Sequence, residues 1–208
     1  MVSFETSKIL GEIGAILMLL IPFAGAYTTA IGFIGLILLI IAFYGLAGYY
    51  SERRIFNNAL IGGILFIVGA VVAVAIVITA AVGILSVFGF QMSNWSNPTY
   101  WQNFNFQGFT NWTELAPFIG AMLGAVFIFW VLSIVAAYLA RSSFITLAQK
   151  SGTGMFATSG LLLLIGAITT VILIGFLLIW IAIILLAVAF FRLRSASSIA
   201  TNVPGTST

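Results

Sequence analysis

The chain has 208 residues, of which 62% are hydrophobic and 5% charged, whereas soluble domains average about 45–50% apolar and about 25% charged residues. This composition leaves too little polar surface for a soluble protein, so the sequence predicts an integral membrane protein. The net charge of +3 comes from scattered cations rather than from a basic face, which argues against a nucleic-acid partner.

Residue types that carry much of enzyme chemistry are missing. The chain contains no cysteine and no histidine, and its four acidic residues are all glutamates. Thiolate and imidazole ligands for zinc, haem or iron–sulfur clusters are therefore absent, as is the base of Ser–His–Asp and Cys–His mechanisms. We expect no metal site, no cofactor and no enzymatic activity.

The first half of the chain contains three apolar blocks. A short span over residues 9–24 is turned by Pro22, and a second span covers residues 28–50. A loop over residues 51–58 follows. The third block, residues 59–90, is either one long tilted helix or a hairpin. One helix is favoured, because a hairpin would move all later cations to the opposite side of the membrane.

The second half begins with the one substantial loop. Residues 91–115 contain no lysine or arginine and are therefore predicted to face outward. A fourth span over residues 117–140 leads into a loop over 141–159. The last apolar block divides into spans over residues 156–170 and 172–191.

All seven cations flank these blocks and fit on one side of a membrane. They are Lys8, Arg53, Arg54, Arg141, Lys150, Arg192 and Arg194. Cytoplasmic loops retain positive charge, so we predict an all-α bundle of six spans with both termini in the cytoplasm. An odd number of spans is the alternative. Residues 1–194 form one transmembrane domain in this prediction, and residues 195–208 a disordered cytoplasmic tail.

The first and last hairpins resemble each other in sequence. Residues 25–29 (Gly-Ala-Tyr-Thr-Thr) match residues 166–170 (Gly-Ala-Ile-Thr-Thr), and Ala42-Phe43-Tyr44 matches Ala189-Phe190-Phe191. Since both hairpins are predicted to enter from the cytoplasm, the pattern indicates a parallel repeat. Chance similarity between apolar segments is the alternative.

Glu12 is the one ionisable side chain expected within an apolar span, where such residues are costly and are functional candidates. It lies three residues past the predicted start at Ile9, and Lys8 lies one turn away on the same helix face. Two interpretations remain open. Glu12 is either an interfacial partner of Lys8, or an ion or proton site that would need Arg141 or Lys150 as its partner.

Glycine spacing suggests a helix contact in the fourth span. Gly120 and Gly124 form a GxxxG motif, which lets helices approach closely in lipid. Packing within the chain and packing in a homo-oligomer are both open.

The outward loop is rich in aromatic residues. An interfacial aromatic belt is one interpretation, and a surface that docks a partner is the other. The docking candidates are Trp95, Tyr100, Trp101, Phe104, Phe106 and Trp112. Asn94 and Asn111 lie in Asn-x-Ser/Thr sequences, which makes them candidate glycosylation sites.

Several short motifs carry a family resemblance. They are Leu10-Gly11, Ile13-Gly14, Ile31-Gly32, Ile34-Gly35-Leu36, Tyr49-Tyr50, Ile55-Phe56-Asn57-Asn58-Ala59-Leu60 and Ala189-Phe190-Phe191. Together they resemble a largely archaeal polytopic membrane family known as domain of unknown function 996. The resemblance covers about half of the chain and implies a protein of a prokaryotic, archaeal cytoplasmic membrane. It implies no activity and no site residues.

Two functions are compatible with the sequence. The first is a non-enzymatic accessory subunit or membrane-organising protein that works through lipid contacts and a complex or homo-oligomer. The second is a small transporter or channel for a neutral or hydrophobic solute, which could be proton-coupled through Glu12. Its water-lined path would have threonines at the outer mouth, namely Thr28, Thr29, Thr169 and Thr170.

Overall fold

The described part of the chain is all-helical. The computed structural model describes residues 3–103 and 112–194, so Phe104, Phe106, Asn111 and the predicted tail lie outside the described residues. The α-helices are α1 (Phe4–Leu20), α2 (Thr28–Tyr49), α3 (Arg53–Val87), α4 (Pro98–Gln102), α5 (Ala116–Ser151), α6 (Met155–Thr169) and α7 (Ile174–Phe191). Six helical segments are long and apolar enough to cross a membrane, and α4 belongs to none of them. The prediction of an all-α, six-span membrane protein is confirmed.

The chain divides into two compact units. Unit 1 comprises Met1–Leu65 and Ser133–Thr208, and unit 2 comprises Phe66–Leu132. Unit 1 therefore contains α1, α2, α6 and α7 together with the first part of α3 and the last part of α5.

The first hairpin of unit 1 joins α1 to α2 through two 3-10 turns. The Ser3 side chain caps α1 by accepting a hydrogen bond from the amide of Thr6 at 3.1 Å, which satisfies one of the free amides at a helix start. Pro22 lies in the first 3-10 turn, where its missing amide proton ends the α-helical pattern. Gly25 follows with φ +52°, a conformation that glycine adopts without a Cβ clash.

The two helices of this hairpin touch at glycines. A Cβ added to Gly14 would lie 2.9 Å from the carbonyl oxygen of Gly35 and 3.0 Å from the amide nitrogen of Leu39. At the open end of the hairpin, the rings of Phe4 and Tyr49 are 4.6 Å apart. The helices therefore run antiparallel, with backbones in direct contact, as small residues allow in membranes.

The last hairpin has a shorter turn and the same kind of contact. Residues 170–172 form a 3-10 turn and Leu173 has φ +62°. A Cβ added to Gly166 would lie 3.0 Å from both the carbonyl oxygen of Gly175 and the amide nitrogen of Ile179. In each hairpin, a glycine of the first helix thus contacts a glycine of the second helix. It also contacts the backbone amide four residues after that second glycine.

This packing shows a repeat of the first and last hairpins, but the residue match predicted from the sequence is wrong. Residues 25–29 lie in the turn and the start of α2, whereas residues 166–170 end α6. The correct alignment pairs residues 4–16 with 156–168. It pairs residues 34–47 with 174–187.

Aligned in this way, identical residues take corresponding places. The pairs buried in both copies are Phe4/Phe156, Ser7/Ser159, Gly14/Gly166, Ala15/Ala167, Gly35/Gly175, Ala42/Ala182, Leu46/Leu186 and Ala47/Ala187. Seventeen residues separate Ile16 from Ile34, against five between Ile168 and Ile174. The copies therefore differ by 12 residues in the turn, which explains why matching the turns placed the helices out of register.

The hairpins pack together through α1 and α7. The ring of Phe190 lies directly against Gly11, and the Trp180 indole donates a hydrogen bond to the carbonyl of Leu19 at 3.2 Å. These contacts join the middle of α1 to the end of α7 and the end of α1 to the first half of α7, so the two helices run antiparallel. Both hairpins consequently begin at the same end of unit 1, as a parallel repeat requires.

Two loops of the predicted threading are shorter than expected. The loop predicted over residues 51–58 is a tight turn, because α3 begins at Arg53. The loop predicted over residues 141–159 is mostly helix, because α5 continues to Ser151. This extension has no glycine or proline before Gly152, and it buries Phe144, Leu147 and Ala148 at helical spacing.

Unit 2 pairs the second part of α3 with the first part of α5. A Cβ added to Gly69 would lie 3.2 Å from Leu132 Cβ, and the ring of Phe118 lies against Gly83. Gly83 lies within α3 and makes room for that ring. Helix α3 ends at Val87, and Gly89 follows with φ +82°. Residues 59–87 therefore lie in one helix, as favoured over a hairpin.

Candidate functional site

The cations of the chain gather at one end of unit 1, which we call the cationic end. Lys8 lies in the first half of α1, Arg53 and Arg54 begin α3 just after the turn that follows α2, and Arg192 and Arg194 follow α7. The extended part of α5 brings Arg141 and Lys150 to the same end, since Lys150 contacts Glu52 at 3.8 Å. The buried Ser143 hydroxyl also donates to the carbonyl of Ile55 there.

Glu12 is paired with Lys8. The Lys8 ammonium lies 3.9 Å from a Glu12 carboxylate oxygen, and the two side chains are 23% and 17% exposed. The spacing of four residues on one helix favours this pair. Lys150, the alternative partner, contacts Glu52 instead. Among the described residues, no group of three His, Cys, Asp or Glu side chains could hold a metal ion.

The end of α2 presents two adjacent tyrosines. The ring of Tyr49 lies 4.9 Å from that of Tyr50, in an edge-on arrangement. Burial raises the pKa of the Tyr50 hydroxyl to about 12, and the neighbouring Tyr49 contributes to the same shift. Tyr50 therefore remains neutral throughout the physiological pH range.

Three of the four threonines predicted to line a solute path, Thr28, Thr169 and Thr170, bond their hydroxyls to nearby backbone carbonyls. The Thr28 hydroxyl donates to the carbonyl of Gly25 at 2.6 Å. The Thr170 hydroxyl donates to the carbonyl of Gly166 at 2.7 Å, and that of Thr169 bonds one helical turn back. Such bonds satisfy the hydroxyl groups within the helix ends.

The described part of the loop between α3 and α5 forms a cluster of aromatic rings in unit 2. The ring of Trp101 lies 5.5 Å from those of Phe90 and Trp95 and 5.4 Å from that of Tyr100. The Trp101 indole donates to the carbonyl of Trp95 at 2.8 Å, and the Tyr100 hydroxyl donates to the carbonyl of Gly89 at 3.0 Å. We call Phe90, Trp95, Tyr100 and Trp101 the aromatic cluster.

The remaining loop candidates differ in exposure. The Trp112 side chain is 71% exposed and that of Trp95 62%, so both present indole surface. Asn94 donates through its side-chain amide to Gln91 at 2.7 Å. Glycosylation of Asn94 would require that bond to open.

The GxxxG pair lies away from helix contacts among the described residues. A Cβ added to Gly120 or Gly124 would meet no described atom within 4 Å. The close helix contacts of unit 1 instead use Gly14 with Gly35 and Gly166 with Gly175. Packing within the described residues therefore does not involve the GxxxG pair, and its packing in a homo-oligomer stays a prediction.

Buried hydroxyls were missed by the sequence analysis. Ser159 is 1% exposed, and its hydroxyl donates to the carbonyl of Ala182 at 2.7 Å, which ties α6 to α7. Ser7, at the matching position, donates to the carbonyl of Ser3 at 2.8 Å. The shared Phe-x-Thr-Ser sequence at residues 4–7 and 156–159 is the signal that would have identified both.

Comparison with known proteins finds related sequences of unknown function. The chain is 28% identical over 189 residues to an uncharacterised protein of Methanocaldococcus jannaschii, and the match covers 91% of this chain and 92% of the relative. No solved structure matches the chain significantly. A family model described as protein of unknown function DUF996 matches residues 31–184. With most of its length covered by that match, the chain belongs to the DUF996 family.

Proposed function

We propose that this protein is a non-enzymatic accessory subunit or membrane-organising protein of an archaeal cytoplasmic membrane. In this proposal the cationic end faces the cytoplasm, because lysine and arginine are retained there. Both termini then also lie on the cytoplasmic side.

The closed core of unit 1 is the observation that supports this function. Among the described residues of unit 1, the buried polar residues are Ser7, Ser143 and Ser159, and each hydroxyl donates to a backbone carbonyl. The Ser133 hydroxyl and Arg141 Nε are buried atoms of partly exposed residues and have no hydrogen-bond partner among the described residues. The surrounding buried residues are apolar and include stacked Phe43 and Phe144 rings 5.4 Å apart. Such a core suits a packing scaffold better than a water-lined path, because a path needs polar groups that face it.

The exposed indoles supply the surface through which a partner would dock. Tryptophans are enriched among residues that dominate binding energy. Trp112 is a more specific position than Trp101 at which to test docking by mutation. Trp101 holds the aromatic cluster together through its ring contacts and its indole hydrogen bond. Removing Trp101 would perturb the loop as well as any complex.

Association is the experiment that tests the proposal. Full-length protein is extracted mildly from native membranes, and co-purifying proteins are quantified by mass spectrometry. We expect a stoichiometric partner that is lost in Trp112→Ala but retained in Phe127→Ala. Phe127 is a matched control because it is 60% exposed on α5, outside the loop.

A flux measurement tests the transporter alternative. Protein isolated without a partner, together with solute flux in proteoliposomes that Glu12→Gln abolishes, would refute the subunit proposal. Unchanged assembly and flux in Glu12→Gln would exclude proton coupling through Glu12.

A further inference from the structure

A cavity of about 610 Å³ opens at the cationic end of unit 1, and the proposed function does not use it. It lies between α1, the start of α6 and the end of α7. We call it the basic cavity, and its lining consists of Lys8, Gly152, Thr153, Gly154, Met155, Phe191, Arg192, Leu193 and Arg194. Small-molecule sites typically measure about 300–1,000 Å³, so this cavity is large enough for a ligand.

The charge of the basic cavity favours an anion. Three lining residues are cations and none is acidic. Lys8 is partly neutralised by Glu12, which lies 3.9 Å away and outside the lining. Arg192 and Arg194 form no ion pair with any residue that the structure describes, and both are exposed. Arginine fits phosphate oxygens through paired hydrogen bonds.

The start of α6 adds hydrogen-bond donors to the same cavity. Gly154 is the N-cap residue and provides no side-chain cap, and the first turn contains no acidic residue. The amides at a helix start carry partial positive charge, and phosphates bind at such positions. Thr153 adds a hydroxyl group to this wall.

The repeat shows that the Lys8 wall of the basic cavity has no counterpart in the last hairpin. Lys8 aligns with Gly160, where an added Cβ would lie 3.0 Å from Arg141 Cα and 3.2 Å from Phe144 Cβ. Helix α5 therefore covers the matching face of α6. On α1 that face carries a cation and borders open space.

We propose that the basic cavity binds the phosphate group of an anionic ligand. Two sources have this chemistry: the headgroup of an anionic phospholipid, and a free phosphate compound in the cytoplasm. The proposal does not depend on the subunit function, since it rests only on unit 1.

Native mass spectrometry tests the lipid source. Full-length protein is placed in nanodiscs of phosphatidylcholine with increasing phosphatidylglycerol, and the phosphatidylglycerol retained after release into detergent is counted. The Arg192→Gln/Arg194→Gln variant should bind about thirtyfold more weakly, since each cation near an anionic surface contributes about fivefold. Arg53→Gln/Arg54→Gln is the matched control, because it removes the same charge at the same end but outside the cavity. It should change binding less than about threefold.

A second variant separates binding from folding. Gly154→Asp places a negative charge in the basic cavity, and an added Cβ there meets nothing within 4 Å. Because acids are favourable at helix starts, this variant should keep its thermal stability while losing the anion.

A titration in detergent solution tests the second source, a free phosphate compound. Inorganic phosphate is titrated against the protein in maltoside detergent, and its binding is followed by thermal stabilisation. Saturable stabilisation that Gly154→Asp removes supports a free phosphate ligand, whereas selective lipid retention without it supports a headgroup. The proposal is overturned if neither probe binds, or if the two double arginine variants weaken binding equally.

Discussion

The glycine contacts of the two hairpins make a quantitative prediction about stability. At Gly166, an added Cβ would lie 2.7 Å from Ile179 Cγ1 and 3.0 Å from two backbone atoms. Backbone cannot rotate away as a side chain can, so Gly166→Ala must separate α6 from α7. Overpacking of this kind costs about 1–3 kcal/mol, partly offset by the higher helix propensity of alanine, worth about 1 kcal/mol. We expect a net loss of about 0–2 kcal/mol in the free energy of unfolding.

Gly124→Ala is the matched control for this prediction. An added Cβ there meets no described atom within 4 Å, so only helix propensity acts, and stability should stay constant or rise by up to about 1 kcal/mol. Unfolding of both variants in mixed micelles, followed by circular dichroism, should give free energies that differ by about 1–3 kcal/mol. Gly14→Ala should behave like Gly166→Ala because the repeat places it at the same contact. Equal stabilities of all three variants would refute the packing argument.

Three further predictions concern a titration, a hydrogen bond and the topology. Since the folded pKa of Tyr50 lies above the usual value of 10, its contribution to stability is complete below pH 10 and is lost as pH rises towards 12. Tyr50→Phe should reduce the fall in the free energy of unfolding between pH 10 and about 12. An unchanged fall would exclude Tyr50 as its cause. Ser159→Ala should cost about 0.6–1 kcal/mol by losing an interhelical bond. Ser7→Ala should cost less because its bond stays within α1, so the reverse order in an unfolding assay would count against this reasoning. As the chain has no cysteine, Gln149→Cys and Ser96→Cys should react with an impermeant maleimide from opposite sides of the membrane, and same-side labelling would contradict the predicted topology.

Much of the fold was predictable because the lengths of apolar segments and the positions of the charges that flank them can be read directly from the sequence. Apolar segments determine the six spans. The cations after residue 140 correctly favoured one long α3 over a hairpin. The same criterion failed at the end of α5, where apolarity stops at Ala140 but the helix continues. There, the helical spacing of Phe144, Leu147 and Ala148 indicates that the helix continues. The length of an apolar segment does not reveal this spacing.

The candidate sites were less predictable because they depend on which helices meet. The pairing of Glu12 with Lys8 follows from helix periodicity and was available from sequence. The basic cavity was not, since it forms only when the start of α6 and the end of α7 meet Lys8. The GxxxG motif gives a spacing but no partner, so packing of Gly120 and Gly124 in a homo-oligomer stays a prediction.

The contact between α1 and α7 has a consequence for biogenesis. Each hairpin closes through residues near in sequence, so each can form as soon as it has entered the membrane. The face of α1 around Gly11, however, has to wait for Phe190, which emerges from the ribosome almost 180 residues later. During synthesis that face stays uncovered, and the last hairpin of a neighbouring nascent chain could bind to it. Exchange of hairpins between copies is therefore the characteristic misassembly expected of this architecture.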